Sequence, residues 1–336
     1  MSGIFPFSAI VGQEDLKIAL ILNVIDPLIG GVLISGEKGT AKSTAVRALA
    51  KLLPSYRARA CPSGCDPKSE HSWCSFCKDG KFDSIEHRQM RVVELPLGAT
   101  EDRLLGSLDI KRAIQSGEKH FEPGILAFAN RNFLYVDEIN LLEDHLVDLL
   151  LDVSAMGMAT VEREGISFTH PSRFVLVGSM NPEEGELRPQ LLDRFGLFVD
   201  VKAILDPQKR LEILKRRIEF DLDHHAFMVA YKNEQNLLSQ KIINAKNILD
   251  KVKMSDEVLR YIVNICANLA IDGHRGDITL SRASKAFCAF EDRIEVLKED
   301  VAKIASLVLL HRQKRLPFES VQDSDAKLEK ALKESL

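Results

Sequence analysis

The chain has 336 residues, 28% of them charged and 45% apolar, with a formal net charge of −4. That is long enough for two domains and one full α/β core, and the charge offers no general attraction to nucleic acid or to an anionic membrane. The first residues, MSGIFPFSAIVGQ, have neither a basic start nor a long apolar run, and Asn23, Asp26 and Pro27 interrupt the most apolar stretch. Neither a secretory signal nor a membrane span is expected, and the expected location is the cytoplasm, or an organelle stroma if a transit peptide has been removed.

Apolar residues at Leu16, Ala19, Leu20 and Val24 predict a helix over residues 14–25, ending near Asp26-Pro27. A short strand at Val32 to Ile34 then runs into GEKGTAKST, residues 36–44. Set against the phosphate-loop pattern G-x-x-x-x-G-K-[ST], Gly36 takes the first position, Lys42 the lysine and Ser43 the hydroxyl, while Ala41 stands where a second glycine is usual. Such a loop (Gly36, Glu37, Lys38, Gly39, Thr40, Ala41, Lys42, Ser43, Thr44) turns backbone N–H groups and a helix N-terminus towards a phosphate. Lys42 reaches the β- and γ-phosphates and Ser43 ligates Mg²⁺. Ala41 is compatible with this if its φ is negative. The bland alternative is a Gly-rich turn entering a helix, whose inner face would be Val46, Leu49, Ala50 and Leu53, stopped at Pro54.

The next stretch, residues 57–82, breaks the α/β pattern. Cys61, Cys65, Cys74 and Cys77 form C-x₃-C-x₈-C-x₂-C within seventeen residues. In a reducing compartment a cluster this tight suits a structural zinc ion, with redox-active or merely reduced thiols as the alternatives. His71 lies between the knuckles and could replace a ligand, while Cys266 and Cys288 sit on helix-like segments and read as buried small hydrophobes.

A second strand is expected at residues 90–95 and a helix at 101–105, followed by a polar insertion over 106–124 with one short helix near Ile110 to Ile114. Residues 132–138 then read as a buried strand ending in two carboxylates, a Walker B element ninety-five residues after Lys42. Asp137 would help hold Mg²⁺ and Glu138 would polarise the attacking water, unless the acids merely cap a helix. TVEREGISFT, residues 160–169, alternates about Glu164-Gly165 as a β-hairpin projecting from the domain. The strand at 174–179 ends at Met180-Asn181-Pro182, where Asn181 is either a sensor of water or γ-phosphate or a turn residue. A short helix over 188–195 carries Arg194, a surface ion-pair partner or an arginine finger, and 197–201 is the last strand.

Asp206-Pro207 marks a domain boundary: residues 1–205 form the nucleotide-binding α/β domain and 206–336 a helical one, with helices at about 208–230, 237–250, 256–270, 279–297 and 300–311 and a short charged tail. The basic run from His311 to Arg315 reads as a solvated face.

In this order Walker A, Walker B, Asn181 and Arg194 resemble an AAA+ ATPase, a doubly wound parallel sheet with β-hairpin insertions followed by an all-α lid. Over nearly the whole chain, VGQEDLKIALILNVIDPLIGGVLISGEKGTAKST, VDEINLLEDHLVDLLLDV, VEREGISFTHPSRFVLVGSMNPEEGELRPQLLDRFG and GHRGDITLSRA are similar to the ATPase (I) subunits of magnesium chelatase. The resemblance implies an ATP- and Mg²⁺-dependent motor that forms a homo-oligomeric ring and works with a D-type AAA+/adhesion-domain subunit and an H-type porphyrin-binding subunit to put Mg²⁺ into protoporphyrin IX. It assigns Asn181 as sensor 1, Arg194 as the finger acting on a neighbouring protomer and Arg275 as sensor 2, with Arg282 a weaker candidate. ATP is then expected between the α/β domain and the lid. The four-cysteine insertion is not general to that family. Rival readings are a cobalt chelatase motor, a MoxR-like chaperone that matures metalloproteins, and a DNA translocase, the last opposed by the net charge and the acids of VEREG.

Overall fold

The computed structural model describes residues 3–37, 39–108, 121–163, 166–313 and 321–335. The chain divides into two compact units, one of Met1–Thr40 with Leu187–Leu336 and one of Ala41–Glu186. Strands are numbered in chain order.

In the unit of Ala41–Glu186, the helix Lys42–Leu52 buries Val46, Leu49 and Ala50, and Leu53 just beyond it is buried too, before Pro54 bars continuation. Three parallel strands form its sheet: β4 (Val92–Leu95), β7 (Phe133–Val136) and β10 (Val175–Met180), with β7 in the middle. Phe133 is level with both Val92 and Val175. Every residue of β7 and β10 is buried, so both read as unbroken apolar runs, as parallel strands covered on two faces do. The helix Asp144–Met156 closes on Gly157 in the left-handed region and also belongs to this core.

Three antiparallel pairs stand apart from that sheet: β2 (Tyr56–Arg59) with β3 (Ile85–Arg88), β5 (Gly106–Leu108) with β6 (Phe121–Pro123), and β8 (Met158–Arg163) with β9 (Ile166–Pro171). The third is the hairpin that alternation predicts; its turn, Glu164-Gly165, and the short helix expected near Ile110 to Ile114 lie outside the described residues. The first two carry no usable signal, because YRAR alternates over only four residues, IEHR does not alternate, and the β5 and β6 arms are three residues each.

In the other unit, the helix Glu14–Ile25 packs near two parallel strands, β1 (Val32–Gly36) and β11 (Leu197–Val201). At Gly36, φ is +149° and a Cβ would stand 2.3 Å from the carbonyl oxygen of Val201, so only glycine fits where β1 enters the loop. The helical part departs in detail from the expected spans. The helix over 208–230 is broken at Asp223, whose carboxylate accepts the Ala226 N–H at 2.9 Å and starts a new helix, so the pieces are Pro207–Leu222 and His224–Ala230. Helices Lys232–Ile248, Asp256–Asn268, Arg275–Phe290 and Lys298–Leu309 follow. The charged tail is itself a helix, Val321–Glu334, that buries Leu328 and Ala331. Among the described residues no helix is long and apolar enough to cross a membrane.

One expectation is overturned outright. His311 and Arg312 are buried, not a solvated face: they close an apolar helix whose inner side carries them under β11 and its approach.

Candidate nucleotide site and cysteine centre

Most of the phosphate-site candidates meet at the C-terminal ends of β7 and β10, where ligands of open α/β sheets bind. Lys42 opens its helix and its Nζ donates to the carbonyl of Met180, the last residue of β10, at 3.3 Å. Asp137 and Glu138 follow β7 directly. One hydroxyl ties them down: Ser179 Oγ donates to Asp137 Oδ1 and accepts the Glu138 N–H at 3.2 Å. The Tyr135 hydroxyl donates to the same carboxylate oxygen at 3.1 Å. Burial, with a smaller contribution from the Asp137 charge, pushes the Tyr135 phenol up to about 12, so it stays a donor throughout the physiological range. Glu138 sits in the left-handed region, φ +51°, an unfavourable conformation for a residue with a side chain. Asn181 is buried, and its Oδ1 accepts the Glu183 N–H at 3.3 Å, so the turn uses its oxygen and its amide nitrogen is left to donate.

The loop itself corrects one expectation. Ala41 has φ +62°, not negative: the position keeps the left-handed backbone that glycine would supply, at a cost of about 1–2 kcal/mol for a side chain there. Gly39 is also left-handed, at φ +83°, and the Thr40 hydroxyl donates to the Glu37 carbonyl at 2.9 Å. Ser43 and Thr44 are the next helical residues, both half-buried. Lys38 lies outside the described residues. The boundary between the two units falls at Thr40–Ala41, inside this loop.

The predicted arginines belong to the other unit. Arg194 follows the short helix Pro189–Leu192 and is half-buried. Its neighbour Asp193 takes two guanidinium groups, from Arg275, the first residue of its helix, and from Arg312, whose Nε lies 3.3 Å away. Arg312 also donates to the carbonyls of Asp193, Phe195 and Gly196. Burial lowers it to about 10, and it still carries its charge at neutral pH. Next to it the His311 Nε2 lies 3.1 Å from the Phe195 carbonyl, and burial, with the Arg312 charge, holds the imidazole well below its ordinary value and therefore neutral. The loop carrying Arg194 is thus fixed from one side by Arg275 and by His311 and Arg312, the last two of which a motif search passes over. Arg282 lies two turns along from Arg275 and pairs with Asp26 at 3.3 Å.

The four cysteines converge as a separate centre. Their Sγ atoms all lie within 4.8 Å of one another and every one is buried. A tetrahedral zinc at about 2.3 Å from each sulfur sets sulfurs roughly 3.8 Å apart, so small side-chain rotations suffice. The Cys65 N–H donates to Cys61 Sγ at 3.4 Å and the Cys74 N–H to Cys65 Sγ at 3.2 Å, bonds that favour thiolates. Hydrogen bonds from Cys65 and Cys74 hold the Cys61 thiol low. The others are pushed up: Cys65 and Cys74 chiefly by the same bonds to Cys61, Cys77 chiefly by burial. The exposed His71 bonds to Ser69 and is not among the converging ligands. Cys266 and Cys288 are buried, and burial raises both thiols, as expected of small hydrophobes.

Residues 107–190 match the family model for magnesium chelatase, subunit ChlI, and residues 259–331 that for an AAA lid domain. The chain is 53% identical over 338 residues to the magnesium-chelatase subunit ChlI homolog of Methanocaldococcus jannaschii, covering 99% of this chain and 92% of that one. It belongs to the magnesium chelatase subunit ChlI family. Its identity to the ChlI subunit of Synechocystis is 51% over 335 residues, 98% of this chain and 94% of that one. A structure of the complex between subunits BchI and BchD of magnesium chelatase is 47% identical with a TM-score of 0.56, covering 96% and 99% of the two chains. A crystal structure of a protein from Cytophaga hutchinsonii, 20% identical with a TM-score of 0.63 over 97% and 90%, shares the fold alone. This magnesium chelatase relative therefore has the AAA+ architecture, a parallel sheet with helices and hairpin insertions followed by a helical lid.

Sequence reasoning missed Ser179, Tyr135 and Arg312. For Ser179 the available signal was a lone hydroxyl in the otherwise apolar strand FVLVGS; for Arg312 none existed, since a basic run after a helix ordinarily faces water.

Proposed function

We propose that this chain is the ATP-hydrolysing motor subunit of a magnesium chelatase, driving Mg²⁺ insertion into protoporphyrin IX with D-type and H-type partner subunits. The observation that carries the reading is the meeting of Lys42, Asp137, Glu138 and Asn181 around the ends of β7 and β10, through Met180 and Ser179, in a member of the ChlI family. Lys42 would hold the phosphates as a point charge, and the hard oxygen donors of Ser43 and Asp137 suit Mg²⁺, which when bound neutralises phosphate charge. Glu138 is placed to take a proton from the attacking water, and the Asn181 amide nitrogen to orient it. We assign residues 1–205 to nucleotide binding and 206–336 to the lid, Arg275 to sensor 2, and Arg194 to the finger that completes a neighbouring protomer's site in a homo-oligomeric ring. The cysteine centre we assign to a structural zinc ion.

The test is metal insertion into protoporphyrin IX, followed by absorbance, with candidate D and H subunits, ATP and either Mg²⁺ or Co²⁺. ATP-dependent product with Mg²⁺ is expected. Product with Co²⁺ alone would move the protein to a cobalt chelatase, and hydrolysis without insertion by competent partners would move it to a chaperone.

A further inference from the structure

The cysteine centre has contacts that its own stability does not require. Between Cys74 and Cys77 runs a single helical turn, Ser75–Lys78, and its first two residues both reach the β8–β9 hairpin. Ser75 Oγ donates to the Thr169 carbonyl at 3.2 Å and accepts the Thr169 N–H at 3.4 Å, so one hydroxyl satisfies both outward backbone groups of a residue on β9. Phe76 packs against the cysteines on one side and meets the ring of Phe168 at 4.9 Å on the other. Phe168 in turn stacks on Phe121 of β6 at 3.8 Å, which places the two projecting hairpins on one aromatic column that starts at the cysteines.

A four-residue turn does not hold its shape unaided, because helix formation needs many more residues to overcome its nucleation cost. The apolar support is small: besides the four cysteines, Trp73, Phe76 and Phe82 pack there, with the Arg59 guanidinium 3.9 Å over the Trp73 ring. Small lobes of this kind depend on a bound metal for their fold. Closure of Cys74 and Cys77 on a common ion therefore sets the backbone of Ser75 and Phe76. β9 leads through Ser172, whose hydroxyl donates to the Leu126 carbonyl at 3.2 Å, into β10, which carries Ser179 near its end and is followed by Asn181.

We propose that the zinc-loaded Cys74–Cys77 knuckle is a clamp on the β8–β9 hairpin, acting through Ser75 and Phe76, so that metal occupancy governs how firmly the hairpin is held. The proposal rests on the reading that the four cysteines bind zinc. It makes Ser75 and Phe76 positioning residues rather than ligands.

The experiment is hydrogen exchange by mass spectrometry on the intact chain, following peptides over residues 158–171, alongside elemental analysis for zinc. Four samples are compared: the zinc-loaded protein, the same protein stripped with a strong zinc chelator, and the two variants Ser75→Ala and Phe76→Ala, which keep all four cysteines. Zinc bound stoichiometrically, with exchange in the hairpin faster by roughly tenfold both on stripping and in the variants while β7 and β10 stay protected, supports the clamp. Zinc bound, with hairpin exchange unchanged in both variants, overturns the clamp and leaves the metal site standing. No zinc bound under reducing, zinc-supplemented conditions overturns the metal reading and the clamp with it. Should stripping unfold the whole unit, the two variants, which retain zinc, decide the matter.

Discussion

Two regions of the unit Ala41–Glu186 carry chemistry and hold it in opposite ways. The ends of β7 and β10 rest on fully buried strands, and their polar groups are fixed by short-range hydrogen bonds to Ser179 and Tyr135. The cysteine lobe rests on two four-residue strands, one half-buried and one largely exposed, and a single helical turn, and its fixed points are four thiols. A sheet end is rigid before any ligand arrives, so its residues can serve chemistry. A lobe with so little apolar support would gain its rigidity from the proposed zinc ion, and its residues would then serve structure.

Glu138→Gln tests the first region hardest. It keeps the shape of the strand end while removing the base, so steady-state ATP turnover should fall by about a hundredfold or more with nucleotide binding retained. Normal turnover would remove Glu138 from the chemistry. For the second region, Cys65→Ser should lose zinc and lower stability by about 2–5 kcal/mol in urea titration, with ATP binding at the strand ends little changed. Equal loss of nucleotide binding would mean that the two regions are not separable. Ser179→Ala should have a smaller effect, about 1–3 kcal/mol in stability, with hydrolysis reduced more than binding because the Asp137 carboxylate and the Glu138 N–H each lose a partner.

The smallest effect expected is on pH dependence. His170 in this unit and His311 in the other are both buried and lowered from 6.5, chiefly by desolvation. Between its depressed folded value and 6.5 the unfolded chain binds the extra proton, so stability is full above about 6.5 and falls as pH drops below it. Replacing His311 with Asn should flatten that fall in thermal melts. A slope unchanged in the variant would assign it to other groups, His170 first.

Much of this was legible beforehand, and for a stated reason. Asp137, Glu138 and Asn181 follow strand ends and Lys42 opens the helix after a recognisable loop, and strands made of largely apolar runs such as FLYV and FVLVGS announce both themselves and where they stop. The β8–β9 hairpin was legible because its arms alternate. The convergence of the four cysteines was legible from spacing alone, since thiols at such intervals point to one common centre. What escaped was whatever depends on a partner distant in sequence. Alanine at 41 hides the left-handed backbone that the usual glycine would announce. The β2–β3 pair brings together segments twenty-five residues apart whose sequences carry no pairing signal.

The sequence by itself therefore determined the apolar parallel strands, the β8–β9 hairpin, the phosphate loop, the pair of carboxylates and the set of thiols, because each is encoded within a few neighbouring residues. Tertiary structure alone decided that Ser179 binds both Asp137 and Glu138, that Arg312 is buried against Asp193, and that Ser75 meets Thr169. Those contacts join residues 41 to 119 positions apart, and local propensity carries no information at that range.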